Sequence, residues 1–359
     1  MKIYIVDLES VPSRYTCEWK TYLPEMLRAE VKKSGKDIEV INISGGEQSI
    51  EATPGAFLNF QQTNIYKNNQ LNDIAQRFST EIKPGDKFVF ADAWHTGILQ
   101  LKYMSELLNI PVEIHALWHA GSYDPHDFLG RLIKNKAWTY NTERALYHAI
   151  DHNYFATDFH IDLFVKTIIG NQSYIMMDIL TEKIIRSGWP MDYMPSITKD
   201  IKSSKEDIIV FPHRIAPEKQ VDIFRDLAKE MPQYQFIVCQ DNKLTKLEYH
   251  KLYSRSKVMW SANLQETLGI SPFEGALHGV YPLLPNRLSY TEMYPDQFLY
   301  PSEWTVSFEA YTKHKADVIA IIDRAMKSHS SMLDDIEKLS NHLLQEYFTA
   351  TSLVEKLIN

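Results

Sequence analysis

The feature that most constrains this chain is a rhythm of short apolar runs alternating with helical patterns. It begins at residue 2 and begins again near residue 207. The runs "KIYIVDL" (2–8), "DIEVINI" (37–43), "KFVFADA" (87–93) and "IPVEIHALW" (110–118) have strand length and β-branched or aromatic content. Helical spacing fills 17–33 and 95–109 between them, then 125–135 and 141–150, and "NYFATDF" (153–159) leads into a helix over 160–169. Parallel strands need a crossover of a dozen or more residues, usually a helix, so this order predicts a parallel sheet covered on both faces. The polar stretch "ITKDIKSSKED" (197–207) has the composition of a linker. Beyond it, strands are predicted at 207–214, 234–240, 257–263 and 281–286, with helices at 217–232, 244–256 and 271–280. The tail from 312 to 358 is mostly helical in pattern.

The expected fold class is therefore α/β, with two Rossmann-like domains over 1–196 and 207–335. A C-terminal helix over 336–359 is placed to cross back to the first domain. A length of 359 residues suits two cores. Ligands on such sheets sit beyond the carboxyl ends of the strands. The two cysteines, Cys17 and Cys239, give neither a disulfide framework nor zinc spacing, and fit a reducing compartment. "MKIYIVDLES" reads as a first strand rather than a leader, and no run of about 18 apolar residues occurs. A cytoplasmic protein with no membrane span is expected. The net charge of −8 disfavours a surface that grips phosphate backbones throughout, but leaves room for a local basic patch such as "KLTKLEYHKLYSRSK" (243–257). Such a run is also what a solvated helix face looks like.

Two stretches carry chemistry. In "SANLQETLGISPFEGA", Gly269 to Ser271 open a helix after a strand, and their N–H groups would form an anion site. Glu274, in the expected first turn, either complements the helix dipole or accepts from both hydroxyls of a sugar diol. In "FPHRIAPEKQ", Arg214 and Lys219 stand just past a strand end, where two cations suit a diphosphate.

The Arg214/Lys219 pair and the Glu266/Glu274 pair, with seven residues between the glutamates, resemble the donor site of retaining GT-B glycosyltransferases of the glycogen-synthase-like group. "YPLLPNRLSYTEMYP" (281–295) resembles the C-terminal domain of the tRNA-queuosine mannosyltransferase-like branch. The resemblance covers about 207–300. It implies a GT-B fold with two domains facing each other across a donor cleft, and a nucleotide-diphosphate sugar as substrate with no cofactor or metal. It implies that Glu274 holds the ribose and that Arg214 and Lys219 neutralise the leaving diphosphate. Glu266 would touch the donor sugar beside the amides of Leu268, Gly269 and Ile270, and His119 would face the sugar from a strand end of the first domain. The family's Gly-rich loop after the first strand is absent: "DLESVPSRYTCEWK" holds no glycine. Arg14, Tyr15, Trp19 and Lys20 there interleave basic and aromatic side chains, as a nucleobase acceptor would want, or form an ordinary amphipathic helix. Asp92 and His95, after another strand, would frame the acceptor pocket. The first-choice acceptor is a hydroxyl-bearing modified base in DNA or tRNA, such as 5-hydroxymethylcytosine in phage DNA. The alternatives are a surface glycan or lipid-linked sugar, and a non-catalytic nucleotide-sugar binder. Thirteen histidines raise the question of metal, but no pair has ligand spacing along the chain, so none is expected.

Overall fold

In the computed structural model, the alternating runs become two all-parallel sheets. The structure describes residues 1–11, 14–46, 59–133, 136–170 and 182–359. Pro12 and Ser13 of the glycine-free loop, and the last two residues of the helix expected over 125–135, lie outside them.

The first sheet has strand order β2-β1-β3-β4-β5-β6, with β1 Lys2–Val6, β2 Glu39–Ile43, β3 Lys87–Phe90, β4 Glu113–Leu117, β5 His152–Phe155 and β6 Ile184–Arg186. Its central strands are buried on both faces, which is why they read as unbroken apolar runs rather than alternating ones. The helix Tyr15–Ser34 covers one face through Trp19, Leu23, Leu27 and Val31, a strict four-residue spacing. Phe78, Phe88, Phe90, Leu101, Trp118, Leu146 and Phe164 lie in one core cluster. The second sheet has order β11-β10-β9-β7-β8, with β7 Glu206–Phe211, β8 Gln235–Val238, β9 Ser256–Trp260, β10 Tyr281–Pro285 and β11 Leu299–Tyr300. Ile209, Phe211, Phe224, Leu227, Met259, Trp260 and Leu283 are among its core side chains.

The chain divides into two compact units, Met1–Pro190 with Thr349–Asn359, and Met191–Phe348. The division falls at Pro190, earlier than the polar stretch suggested. Buried Met194 and Thr198 anchor the short helix Met194–Thr198 in the second unit. The tail is not one helix over 336–359. Leu333–Glu346 packs in the second unit, whereas Thr351–Ile358 packs on Tyr15–Ser34 in the first. Lys36 Nζ donates to the Ile358 carbonyl at 2.7 Å and Lys87 Nζ to that of Lys356 at 2.8 Å.

Among the elements that exceed the sequence expectation are the helix Phe60–Phe78, β6 and β11. The helix expected over 217–232 is broken instead. A 3-10 turn, Pro217–Lys219, meets Val221–Glu230 through Gln220 in the left-handed region, φ 53°. Among the described residues, no helix is long and apolar enough to cross a membrane.

Candidate functional site

Strand order locates the place where each sheet can take a ligand. In the second sheet, β7 is followed by β8 on one side and β9 on the other. The crevice between the loops leaving β7 and β9 is thus the topological switch point, where open α/β sheets bind ligands. His213, Arg214 and Lys219 follow β7, and Asn263, Glu266 and Gly269 follow β9.

The structure brings Lys219 and Glu266 together. Lys219, buried, donates to the Gln265 carbonyl at 2.6 Å and stands 3.3 Å from Glu266 Oε2. Arg214 is ion-paired with the buried Glu218, whose own carbonyl accepts from the Leu264 amide at 2.8 Å. Burial pushes Glu218 upward, but the Arg214 guanidinium outweighs it and holds the carboxyl below its usual range. His213 is buried and held neutral, well below its ordinary value, by desolvation and the Lys219 and Arg214 charges. It shares a 3.1 Å hydrogen bond with Ser261 Oγ. The two cations therefore sit at the switch point, each beside a carboxylate.

The loop from Asn263 to Ile270 is shaped by the "PNRLSYTE" segment. Arg287 Nε donates to the Asn263 carbonyl at 2.7 Å. Its two terminal nitrogens donate to the carbonyls of Ala262 at 2.8 Å, Ser302 at 2.8 Å and Thr305 at 3.1 Å. Tyr290 OH accepts from Asn263 Nδ2 at 2.9 Å. A guanidinium suits this task because its donors radiate in one plane. Gly269, φ 92°, caps the helix Ile270–Leu277; a β-carbon there would stand 3.1 Å from the Tyr290 ring. Leu268 is buried, whereas Ile270 is half-buried at the helix start.

Glu274 departs from the expected first turn. The helix begins at Ile270, so Glu274 falls in its second turn and is not a dipole partner. It is buried, with Oε1 taking Lys246 Nζ at 2.7 Å and Oε2 taking the Tyr249 hydroxyl at 2.8 Å. Burial raises its pKa, but Lys246 and the other partners overcome this and keep it below the usual carboxylate range. Part of the basic run 243–257 is likewise spent locally: Arg255 pairs with Glu206 and Lys257 with Asp207.

The first sheet switches between β1 and β3. Asp92 follows β3, 2.9 Å from Lys67 Nζ. Burial would raise its pKa, yet the Lys67 ammonium holds it at about 2. His95 is buried, its Nδ1 accepting from the Gly97 amide at 3.0 Å and its Nε2 bound to Gln70 Oε1 at 3.1 Å. Burial lowers it to about 3, so the ring is neutral. Trp19 is buried too, which removes it as an exposed stacking platform. Arg14 precedes the helix as its N-cap residue, its guanidinium 5.6 Å from the Tyr15 ring centre. His119 stands at the expected strand end, half-buried and hydrogen-bonded through both ring nitrogens. Its Nε2–H donates to the Ala91 carbonyl at 2.7 Å, so Nδ1 accepts from Tyr15 OH at 2.8 Å. The Tyr15, Trp19 and Trp189 rings surround it.

Sequence reasoning missed the helix Phe60–Phe78 and with it Tyr66, Lys67 and Gln70. These meet Asp7 and Asp92 at the carboxyl edge. Asp7 takes Gln70 Nε2 at 2.9 Å and Asn42 Nδ2 at 3.1 Å, and is hydrogen-bonded by Tyr66 OH. Burial outweighs these bonds and pushes its pKa up to about 6.

No protein-family model and no curated protein matches this sequence. Solved structures do resemble it. Sucrose-phosphate synthase from Thermosynechococcus elongatus matches at TM-score 0.62 and 10% identity, over 99% of this chain and 97% of that one. The catalytic domain of starch synthase IV from Arabidopsis thaliana, bound to ADP and acarbose, matches at TM-score 0.58 and 10% identity, over 99% of both. HepE of Anabaena in complex with UDP matches at TM-score 0.58 and 12% identity, over 99% and 98%. The chain has the fold of GT-B glycosyltransferases.

Proposed function

We propose that this protein is a retaining glycosyltransferase that takes its sugar from a nucleotide-diphosphate donor at the carboxyl edge of the second sheet. The observation that supports this best is the position of Arg214 and Lys219 at the β7/β9 switch point, with Glu266 3.3 Å from the lysine. In this reading the diphosphate displaces the carboxylates as partner of the two cations. Negative charge grows on the phosphate as the glycosidic bond breaks, and fixed cations stabilise it without reorganising. Glu266, released from Lys219, and the amides of Leu268, Gly269 and Ile270 then face the sugar. Glu274 exchanges one of its present partners for the ribose diol.

The test is to incubate the protein with a panel of nucleotide-diphosphate sugars and follow nucleoside diphosphate release. Arg214→Ala and Lys219→Ala are expected to lower turnover more than donor affinity. Binding without release for every donor would reduce the reading to a nucleotide-sugar binder. For the acceptor, our first choice is a hydroxyl-bearing modified base. It rests on the 281–295 resemblance alone, since Trp19 and His95 are buried. Hydroxymethylated DNA, plain DNA, tRNA and a glycan or lipid acceptor are offered together, and the products weighed. Transfer only to the glycan or lipid would reject the nucleic-acid choice.

A further inference from the structure

At the end of the first sheet away from Asp92 and His119, the strand register gathers a different set of side chains. Glu113 opens β4, and His115, two residues on, shares its face. His152 opens β5 and is the register partner of His115. The three therefore stand side by side on one sheet face. Glu113 Oε1 lies 3.0 Å from His115 Nε2 and 2.7 Å from His152 Nε2.

Three features point to a ligand held there. Both imidazoles turn their Nε2 atoms to the same carboxylate oxygen. His115 is fully buried, and its Nε2 makes no hydrogen bond of good geometry despite that proximity. Its Nδ1 is within 2.8 Å of the Tyr154 hydroxyl, the outer bond that orients a metal-binding imidazole. With Nδ1–H donating to that oxygen, Nε2 presents a lone pair to the cluster.

We propose that Glu113, His115 and His152 form a binding site for a divalent first-row metal of the zinc type. Two nitrogens and one carboxylate oxygen are a standard zinc donor set with one position left for water. Atoms sharing one tetrahedral zinc at ~2.0–2.2 Å stand ~3.3 Å apart; the three donor atoms now lie within 4.8 Å of one another, and the stacked His115 and His152 rings, centroids 4.6 Å apart, must tilt so that both lone pairs meet at the ion. Glu113 and His152 are only half-buried, which gives the ion a path in. The Lys87 ammonium, 3.7 Å from Glu113 Oε2, opposes the cation and limits its affinity. The site ties the starts of two neighbouring strands and is separate from the switch point of the second sheet. It also departs from the expectation of no metal: the two histidines are neighbours across strands, which spacing along the chain does not reveal.

The full chain, stripped with a chelator, is titrated with Zn2+ in competition with a chromophoric chelator, and with Co2+ followed by its visible absorption. One equivalent is expected, with four-coordinate Co2+ bands. Affinity should drop at least tenfold in His152→Ala and in Glu113→Gln, and stay unchanged in His342→Ala, an exposed histidine elsewhere. X-ray absorption on the zinc-loaded wild-type protein should count two imidazoles, a measurement independent of whether a variant folds. Absence of stoichiometric binding, equal affinity in His152→Ala and Glu113→Gln, or any other imidazole count would overturn the proposal.

Discussion

Arg287→Ala should destabilise the second unit by far more than an ordinary half-buried substitution. The guanidinium donates to four carbonyls, on Ala262, Asn263, Ser302 and Thr305. A hydrogen bond to a charged group contributes about 1.5–3 kcal/mol, but four bonds from one side chain are not additive, and water replaces part of the loss. Burial lowers the Arg287 pKa, so some of the gain is already spent on desolvation. About 3–4 kcal/mol is a reasonable net loss, near the upper end for one substitution. Arg287→Lys keeps the charge but not the planar fork and should fall between. Urea unfolding, followed by tryptophan emission with the slope checked for constancy, measures both. Donor turnover should fall in parallel, since the same bonds hold the loop that carries Glu266. A loss below about 1 kcal/mol in Arg287→Ala, or equal stability of the lysine and alanine variants, would refute the reasoning.

Glu274→Ala should weaken nucleoside diphosphate binding by roughly 1.5–3 kcal/mol, read by calorimetry; unchanged affinity for every diphosphate would remove it from the ribose site. Asp7 gives a pH signature. Its folded pKa of about 6 exceeds the unfolded value near ~3.9, so the folded state holds more protons between the two and stability falls as pH rises through that window. Asp7→Asn should flatten the urea midpoint between about pH 4 and pH 6, and profiles parallel to wild type would contradict the assignment. Gly269→Ala should cost stability through the left-handed backbone and the Tyr290 contact, and a midpoint equal to wild type would show that the loop relaxes freely.

The sheets were legible because buried parallel strands leave long apolar runs with helices between them. The helix Phe60–Phe78 was not: "FQQTNIYKNNQLNDIAQRF" is rich in Asn and Gln, and its buried face includes Thr63 and Gln70 as well as Tyr66 and Ile74. β6 and β11 have three and two residues, too few for a period to emerge. Arg214 and Lys219 could be grouped because both lie in the loop that leaves one strand, whereas Glu266 joined them only through the family resemblance. The acceptor reading leaned on residue type without face. Trp19 heads the four-residue series that continues through Leu23, Leu27 and Val31, a signal of burial that outweighs its neighbours Arg14 and Lys20. The burial of His95 was hidden for a related reason: its partner Gln70 belongs to the helix that the pattern hid.

The return of Thr349–Asn359 to the first unit has a consequence for the order of events during synthesis. The second unit is continuous and can acquire all its contacts as it leaves the ribosome. The first cannot. The helix Thr351–Ile358 that covers Tyr15–Ser34, and the carbonyls that receive Lys36 and Lys87, are made only after the whole second unit. Until then the first sheet, though made earlier, lacks part of its cover. Chaperone engagement and nicking of nascent chains should therefore concentrate on the older half.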